Sequence, residues 1–187
     1  MQRRPPVSTE GRSSAASDVY RGQFNICGEW FQVQGDAEER DANGSFINTD
    51  FARTGVHSHN DGVIHWHANS RAAVGRRAIF QVFLDVYDVE LENNKLVFPE
   101  NQRAQLAASF GDKYEDGVFE SGETTCTVDG EEVDGSLQMV VWANFSDTDS
   151  GTTFVAAYGS VRVDRDAKAF SVAFVPDNTD VGMPPWA

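Results

Sequence analysis

All four histidines of this 187-residue chain fall within eleven positions, and they flank a turn signal. The run reads His57-Ser-His59-Asn-Asp-Gly-Val-Ile-His65-Trp-His67, with two His-x-His pairs on either side of residues 60–62. Because alternate residues of a strand share a face, each pair points one way. A three-residue loop that ends with Gly62 in the left-handed conformation predicts a hairpin over residues 55–67.

The face on which the histidines lie depends on the register of this hairpin. The three-residue loop places His57 opposite His65 and puts all four imidazoles on one face. A two-residue turn would instead pair His59 with Ile64 and separate the two pairs onto opposite faces. We expect the longer loop, because Gly62 supplies the left-handed residue that it requires.

Four convergent imidazoles are a ligand set for a transition metal ion of the zinc or copper class. The predicted ligands are His57, His59, His65 and His67, with Asp50 or Asp61 as an acceptor that orients a ring. His57 and His65 are not expected to be core residues. Two alternative roles for the cluster remain open: a metal-free polar face that contacts another protein, and a pH-responsive group. An enzyme would need a general base and a pocket beside the histidines, which the sequence does not identify.

The order of periodic segments predicts an α+β fold, a mostly antiparallel sheet with one main helix packed on it. Apolar residues between 79 and 87 recur at helical spacing, so we predict this helix over about 76–87. Strand-like runs at 137–144 and 170–175 should lie at the centre of the sheet. Residues 28–54 lack periodicity, and a short helix is expected at 103–110. Residues 1–18 are predicted to be a disordered tail, and residues 19–187 a single domain.

The charge balance limits the classes of partner. With 15 basic and 29 acidic residues the net charge is -14, which argues against nucleic acid or an anionic membrane surface. No apolar run reaches the length of a membrane-spanning helix, so we expect no membrane segment in this chain. No motif for an organic cofactor or a serine nucleophile is present. A metal ion is therefore the only partner that the sequence specifies, and a protein partner stays unidentified.

The two cysteines, Cys27 and Cys126, lack the spacing of a thiolate metal site. They can form one disulfide or remain two buried thiols, and their spacing does not decide between these states.

The run from Thr54 to His67 resembles the motif T-G-[IV]-H-[ST]-H-x-D-G-x-I-H-x-H, which marks a family of actinobacterial, usually membrane-anchored proteins of uncharacterised activity. Further segments are similar to that family: residues 20–28 ending in Cys-Gly, 72–84, 96–99 and 170–185. The chain departs from the pattern where members often carry a further His-x-His before the first cysteine, and at Ala68, where members have proline.

The resemblance implies an extracytoplasmic domain in which Cys27 and Cys126 are bridged, with Cα atoms less than about 7 Å apart. It implies no established activity. Together with the histidine hairpin it favours a noncatalytic metal-binding module outside the cytoplasm. The alternatives are a metal-free interaction domain and a metal-dependent enzyme.

Overall fold

The computed structural model describes residues 18–185. The predicted tail over residues 1–18 lies outside the described residues except for Asp18, which begins the first strand. The strands are β1 (Asp18–Ile26), β2 (Glu29–Phe31), β3 (Val56–His57), β4 (Val63–Trp66), β5 (Glu90–Leu91), β6 (Lys95–Val97), β7 (Val118–Glu120), β8 (Thr125–Val128), β9 (Glu131–Trp142), β10 (Thr152–Phe154) and β11 (Ala169–Pro176). The α-helices are α1 (Thr49–Thr54), α2 (Gln81–Val86) and α3 (Glu100–Phe110).

One large sheet organises the described chain and confirms the predicted α+β class. Its strand order is β10-β9-β11-β1-β4-β3, with β2 added to β1 and β8 added to β9. Every pair is antiparallel except β1 with β11, whose register aligns Phe24 with Val172. Strands β5, β6 and β7 form a second, small antiparallel sheet. The runs predicted at 137–144 and 170–175 correspond to β9 and β11, which pair with each other inside the large sheet.

The large sheet buries apolar side chains on both faces, which explains why β11 is buried almost throughout. The main cluster includes Tyr20, Phe24, Ile26, Ile64, Trp66, Phe83, Leu84, Phe98, Phe119, Phe170 and Phe174. A smaller cluster on β9, β11 and the C-terminal segment contains Val140, Trp142, Ala169, Ala173, Val175 and Val181. The segment after β11 is tied to the sheet, since Ser171 Oγ donates to the Gly182 carbonyl at 2.9 Å and Gln23 Nε2 donates to the Pro185 carbonyl at 2.8 Å.

The helix predicted over 76–87 is shorter than expected. Regular helix is confined to Gln81–Val86, and a separate 3-10 turn covers Gly75–Arg77. Between them, Ile79 pairs with Arg162 in an isolated β-bridge. This bridge takes up the Ala78 carbonyl and the Phe80 N–H, which are therefore not free to continue a helix. The predicted apolar stripe nevertheless faces the core, since Phe80, Phe83, Leu84 and Tyr87 are buried and Ile79, which is partly buried, packs against the main cluster.

Two other helices differ from the sequence prediction. The helix expected at 103–110 begins earlier, at Glu100, where Pro99 precedes it in an extended conformation. Helix α1 lies within the segment predicted to be irregular. Asn48 caps it by accepting a hydrogen bond from the Phe51 N–H at 2.8 Å, and Gly55 ends it with a left-handed φ of 75°. These two caps place the start of β3 directly after the helix.

A disulfide joins Cys27, which follows β1, to Cys126 of β8, with Cα atoms 5.3 Å apart. The bridge that the family resemblance implied is therefore present. It links the end of β1, which lies inside the sheet, to β8, whose partner among the described strands is β9. Within residues 18–185, no helix combines the length and apolar character needed to cross a bilayer.

A glycine allows β1 and β4 to pack closely. A Cβ atom at Gly22 would lie 2.2 Å from Cδ1 of Ile64, whose side chain is fully buried. Gly22→Ala should lower the free energy of unfolding by about 1–3 kcal/mol, as overpacking of a core does. Urea denaturation measures this effect. Gly182→Ala is the control, because a Cβ there meets nothing within 4 Å, and it should change stability by less than about 0.5 kcal/mol. Equal stabilities of the two variants would contradict the prediction.

Candidate metal centre

The histidine hairpin has the register that the longer loop predicts. In the antiparallel pair of β3 and β4, His57 lies opposite His65 and Val56 lies opposite Trp66. Ile64 and Trp66 are buried in the main core, so the alternating residue His65 lies on the other face of the sheet. His57 and His65 therefore lie on the face opposite Ile64 and Trp66, as the sequence predicts.

The loop itself differs from the predicted turn. Gly62 is left-handed with φ 70°, as expected, but Asn60 is left-handed too, with φ 61°. The connection between the strands covers residues 58–62, and the Asp61 carboxylate accepts a hydrogen bond from the Val63 N–H at 3.0 Å. The Gly62 carbonyl accepts from the Gly22 N–H at 3.0 Å, which fixes the end of the loop to β1.

A buried tyrosine determines the shape of the loop. The Tyr87 hydroxyl accepts a hydrogen bond from the Ser58 N–H at 2.8 Å and donates one to the Ser58 carbonyl at 3.1 Å. Both backbone groups of Ser58 are therefore satisfied by Tyr87 and not by β4. Since Ser58 lies between His57 and His59, this contact positions both imidazoles.

The four imidazole rings form one cluster. His57 lies at its centre, with ring centroids 4.6 Å from His59, 5.3 Å from His65 and 5.3 Å from His67. The His59 ring is nearly perpendicular to that of His57, at 85°, whereas the rings of His65 and His67 are stacked on it at 22° and 23°. The structure thus brings all four together, but only His59 points a nitrogen toward that of His57.

Glu38 completes a three-donor group with two of these histidines. The Nε2 atoms of His57 and His59 are 3.0 Å apart, and Oε2 of Glu38 lies 3.9 Å and 3.8 Å from them. A triangle with these sides has its centre about 2.1 Å from each corner, which matches zinc–nitrogen and zinc–oxygen bond lengths. The three donors are therefore arranged around one point suited to a metal ion.

His57 is the buried member of the group. Its side chain is only 3% exposed and packs edge-on against Phe51 of α1, so the expectation that it lies outside the core is wrong. The cause is α1, which the sequence did not reveal. Burial lowers the pKa of His57 below its ordinary value, against the opposing effects of the Glu38 carboxylate and the Gly55 carbonyl. Burial therefore favours the neutral form of His57, which is the form that binds metal ions.

The hydrogen bonds of the rings select their tautomers. Nδ1 of His57 donates to the Gly55 carbonyl at 3.4 Å, so Nε2, which lies 3.0 Å from Nε2 of His59, is the unprotonated nitrogen when the ring is neutral. Of the two predicted orienting acceptors, Asp61 contacts a ring, since Nε2 of His65 lies 3.3 Å from its Oδ2. Asp50 instead pairs with Arg53 at 2.6 Å.

Sequence reasoning did not identify Glu38. It lies in the irregular segment between β2 and α1, among several other exposed acidic residues, and nothing in its spacing separates it from them. Its proximity to the hairpin follows from the path of this segment. An isolated bridge between Arg40 and Phe46 closes the segment, and Phe46 packs on Phe51 beside His57.

The role of Tyr87 can be tested with a matched variant. Tyr87→Phe should lower the free energy of unfolding by about 1–3 kcal/mol, because the buried backbone groups of Ser58 lose their partner. Tyr158→Phe is the control, since this tyrosine is equally buried and donates to the Leu137 carbonyl at 2.9 Å, outside the site. NMR should show shifted ring signals of His57 and His59 only in Tyr87→Phe. Unchanged histidine signals in that variant would refute the positioning role.

Comparison with protein-family models, with curated proteins and with solved structures gave no match for this chain.

Proposed function

We propose that this protein is an extracytoplasmic metal-binding module that is not an enzyme and holds a zinc- or copper-class ion on its histidine hairpin. The observation that carries the proposal is the arrangement of Glu38, His57 and His59 around one point at metal-bonding distance. Two imidazoles and one carboxylate form a known donor set for such ions. Burial, which lowers the pKa of His57, favours the neutral ring that binds metal ions.

The sequence also predicts His65 and His67 as ligands of this ion, but with their rings in the described orientation they are not part of the three-donor group. Their rings adjoin His57, and either ring would have to rotate from its stacked orientation before a nitrogen could reach the ion. The contact of His65 with Asp61 fits the carboxylate–histidine pairs that orient metal ligands.

The extracytoplasmic setting is supported by the disulfide, because such bonds persist mainly in oxidising compartments. It also agrees with the resemblance to the actinobacterial, usually membrane-anchored family, and membership of that family is likewise a proposal.

The direct test is metal analysis of untagged protein purified without chelator or nickel resin, followed by calorimetric titration with Zn²⁺ and Cu²⁺. We expect one ion per chain and a dissociation constant of about 1 μM or below. Apparent affinities weaker than about 1 mM for both ions would contradict the proposal.

A second candidate is a metal-free interaction domain. Two observations favour it. Nε2 of His57 and Nε2 of His59 can share a hydrogen bond without a metal ion. The His57 side chain is also buried, with Glu38 beside it. The same titration discriminates between the candidates, because this domain would bind neither ion.

A further inference from the structure

We propose that an ion held by Glu38, His57 and His59 keeps one coordination position for an imidazole group from a second molecule. This inference rests on the proposed metal-binding function and specifies the class of ligand that such a site takes. It assigns the protein a ternary complex of chain, metal ion and nitrogen donor.

The three-donor group has fewer ligands than zinc and copper ions usually take. Among the described residues, the group that can hold an ion contains only Glu38, His57 and His59. An ion at the centre of their triangle has three donors from this group, and none of them lies above or below the plane of the triangle. Zinc and copper ions usually take four or more ligands.

The neighbouring rings of His65 and His67 are not oriented to supply a fourth ligand. A metal ion binds an imidazole in the plane of the ring, and the ion held by His57 lies in the plane of His57. The rings of His65 and His67 are stacked on His57 at 22° and 23° and are parallel to each other within 4°. The ring planes of His65 and His67 are therefore nearly parallel to the plane that contains the ion, and their nitrogens are not directed at it. Nε2 of His65 instead lies 3.3 Å from Oδ2 of Asp61.

A ligand from solution can reach the three-donor group. The side chains of Glu38 and His59 are 47% and 51% exposed, so two of the three donors lie at the surface. Structural zinc sites are closed by four protein ligands, whereas sites with three protein ligands keep a position for water or another molecule. The arrangement at Glu38 and His59 belongs to the second kind.

The surroundings of the site are negatively charged. Glu38 supplies one carboxylate to the ion, the Asp61 carboxylate lies 3.3 Å from Nε2 of the neighbouring His65, and the chain as a whole carries -14. A carboxylate or other anion would add further negative charge beside Asp61, whereas a neutral imidazole would not. The site should therefore prefer a neutral nitrogen donor to an anionic oxygen donor.

The test uses Co²⁺ as the metal, because its visible absorption reports the number and geometry of its ligands. Titration of the protein with Co²⁺ alone comes first and establishes that the ion binds. The Co²⁺ protein is then titrated with imidazole, with acetate at the same ionic strength, and with a blocked peptide that contains one histidine. The same titrations are run on His65→Ala and His67→Ala.

We expect one imidazole per Co²⁺, bound about tenfold more tightly than acetate, with an unchanged affinity in both variants. Binding of the peptide as well would extend the site to histidine side chains of a partner, and binding of imidazole alone would limit it to small ligands. An absorption spectrum unaffected by imidazole, or tighter binding of acetate, would overturn the proposal. So would a marked gain in imidazole affinity in His65→Ala, because His65 would then have filled the position. Absence of Co²⁺ binding in the first titration would instead refute the proposed function, and the ternary complex with it.

Discussion

Replacing His59 with alanine should weaken the binding of Zn²⁺ or Cu²⁺ at least about hundredfold, which is the upper end of the loss seen when only an orienting partner of a ligand is removed. The fold should survive, because the side chain is half-exposed and its polar contacts with described residues are those with His57 and Glu38. Calorimetric titration measures the affinity, and urea denaturation of the metal-free protein checks the fold.

Glu38→Gln tests the carboxylate of the same group. The amide retains the shape of the side chain but loses the negative charge that attracts the ion, so affinity should fall by at least about tenfold. Glu39→Gln is the matched control, since it removes one charge from the adjacent exposed residue, which is not part of the three-donor group. Equal losses in the two variants would show that only the general negative charge matters, and would remove Glu38 from the set of ligands.

His57 is less suited to such a test because it is buried beside Phe51, so His57→Ala would affect both the site and the packing. The pair His65→Ala and His67→Ala decides whether the full four-histidine set binds the ion. A loss of affinity in either variant comparable with that of His59→Ala would establish the ring as a ligand.

Reduction of the disulfide should produce the largest change in stability. Cys27 and Cys126 are separated by 99 positions, and the loss of a cross-link over so long a loop lowers the free energy of unfolding by about 4–5 kcal/mol in the chain-entropy model. Comparing urea denaturation of the oxidised and reduced wild-type protein isolates the cross-link, because both side chains are retained.

The variant Cys27→Ser with Cys126→Ser provides an independent check. It should lose at least as much stability as the reduced protein, because Cys126 is fully buried and serine places a hydroxyl there. It should also be insensitive to reducing agent. Coincident denaturation curves of the oxidised and reduced wild-type protein would contradict the stabilising role of the bridge.

The sequence predicted those features that depend on neighbouring residues. The period of two around His57 and His65, together with the turn at residues 60–62, was sufficient for the strand register and the shared face. The glycine at position 62 was sufficient to predict a left-handed residue there, whereas the left-handed Asn60 was not predicted. Local pattern also located β9 and β11, because their apolar runs are long and continuous.

The sequence could not predict features produced by contacts between distant segments. The shape of the loop depends on Tyr87, which reaches Ser58 from 29 positions away, and the start of α2 depends on a bridge from Ile79 to Arg162. Glu38 joins the histidines only because an irregular segment turns back over the hairpin. The burial of His57 follows from α1, a helix too short to produce a periodic signal.

The parallel pairing of β1 with β11 has a consequence for the order in which the molecule assembles. Strand β4, which carries His65, is attached to the rest of the sheet through β1, and β1 is flanked on its other side by β11. During synthesis the hairpin leaves the ribosome long before β11 does, so its support is incomplete until late. Contacts so distant in sequence also slow folding. The histidine cluster should therefore reach its folded arrangement only after nearly the whole chain has been made.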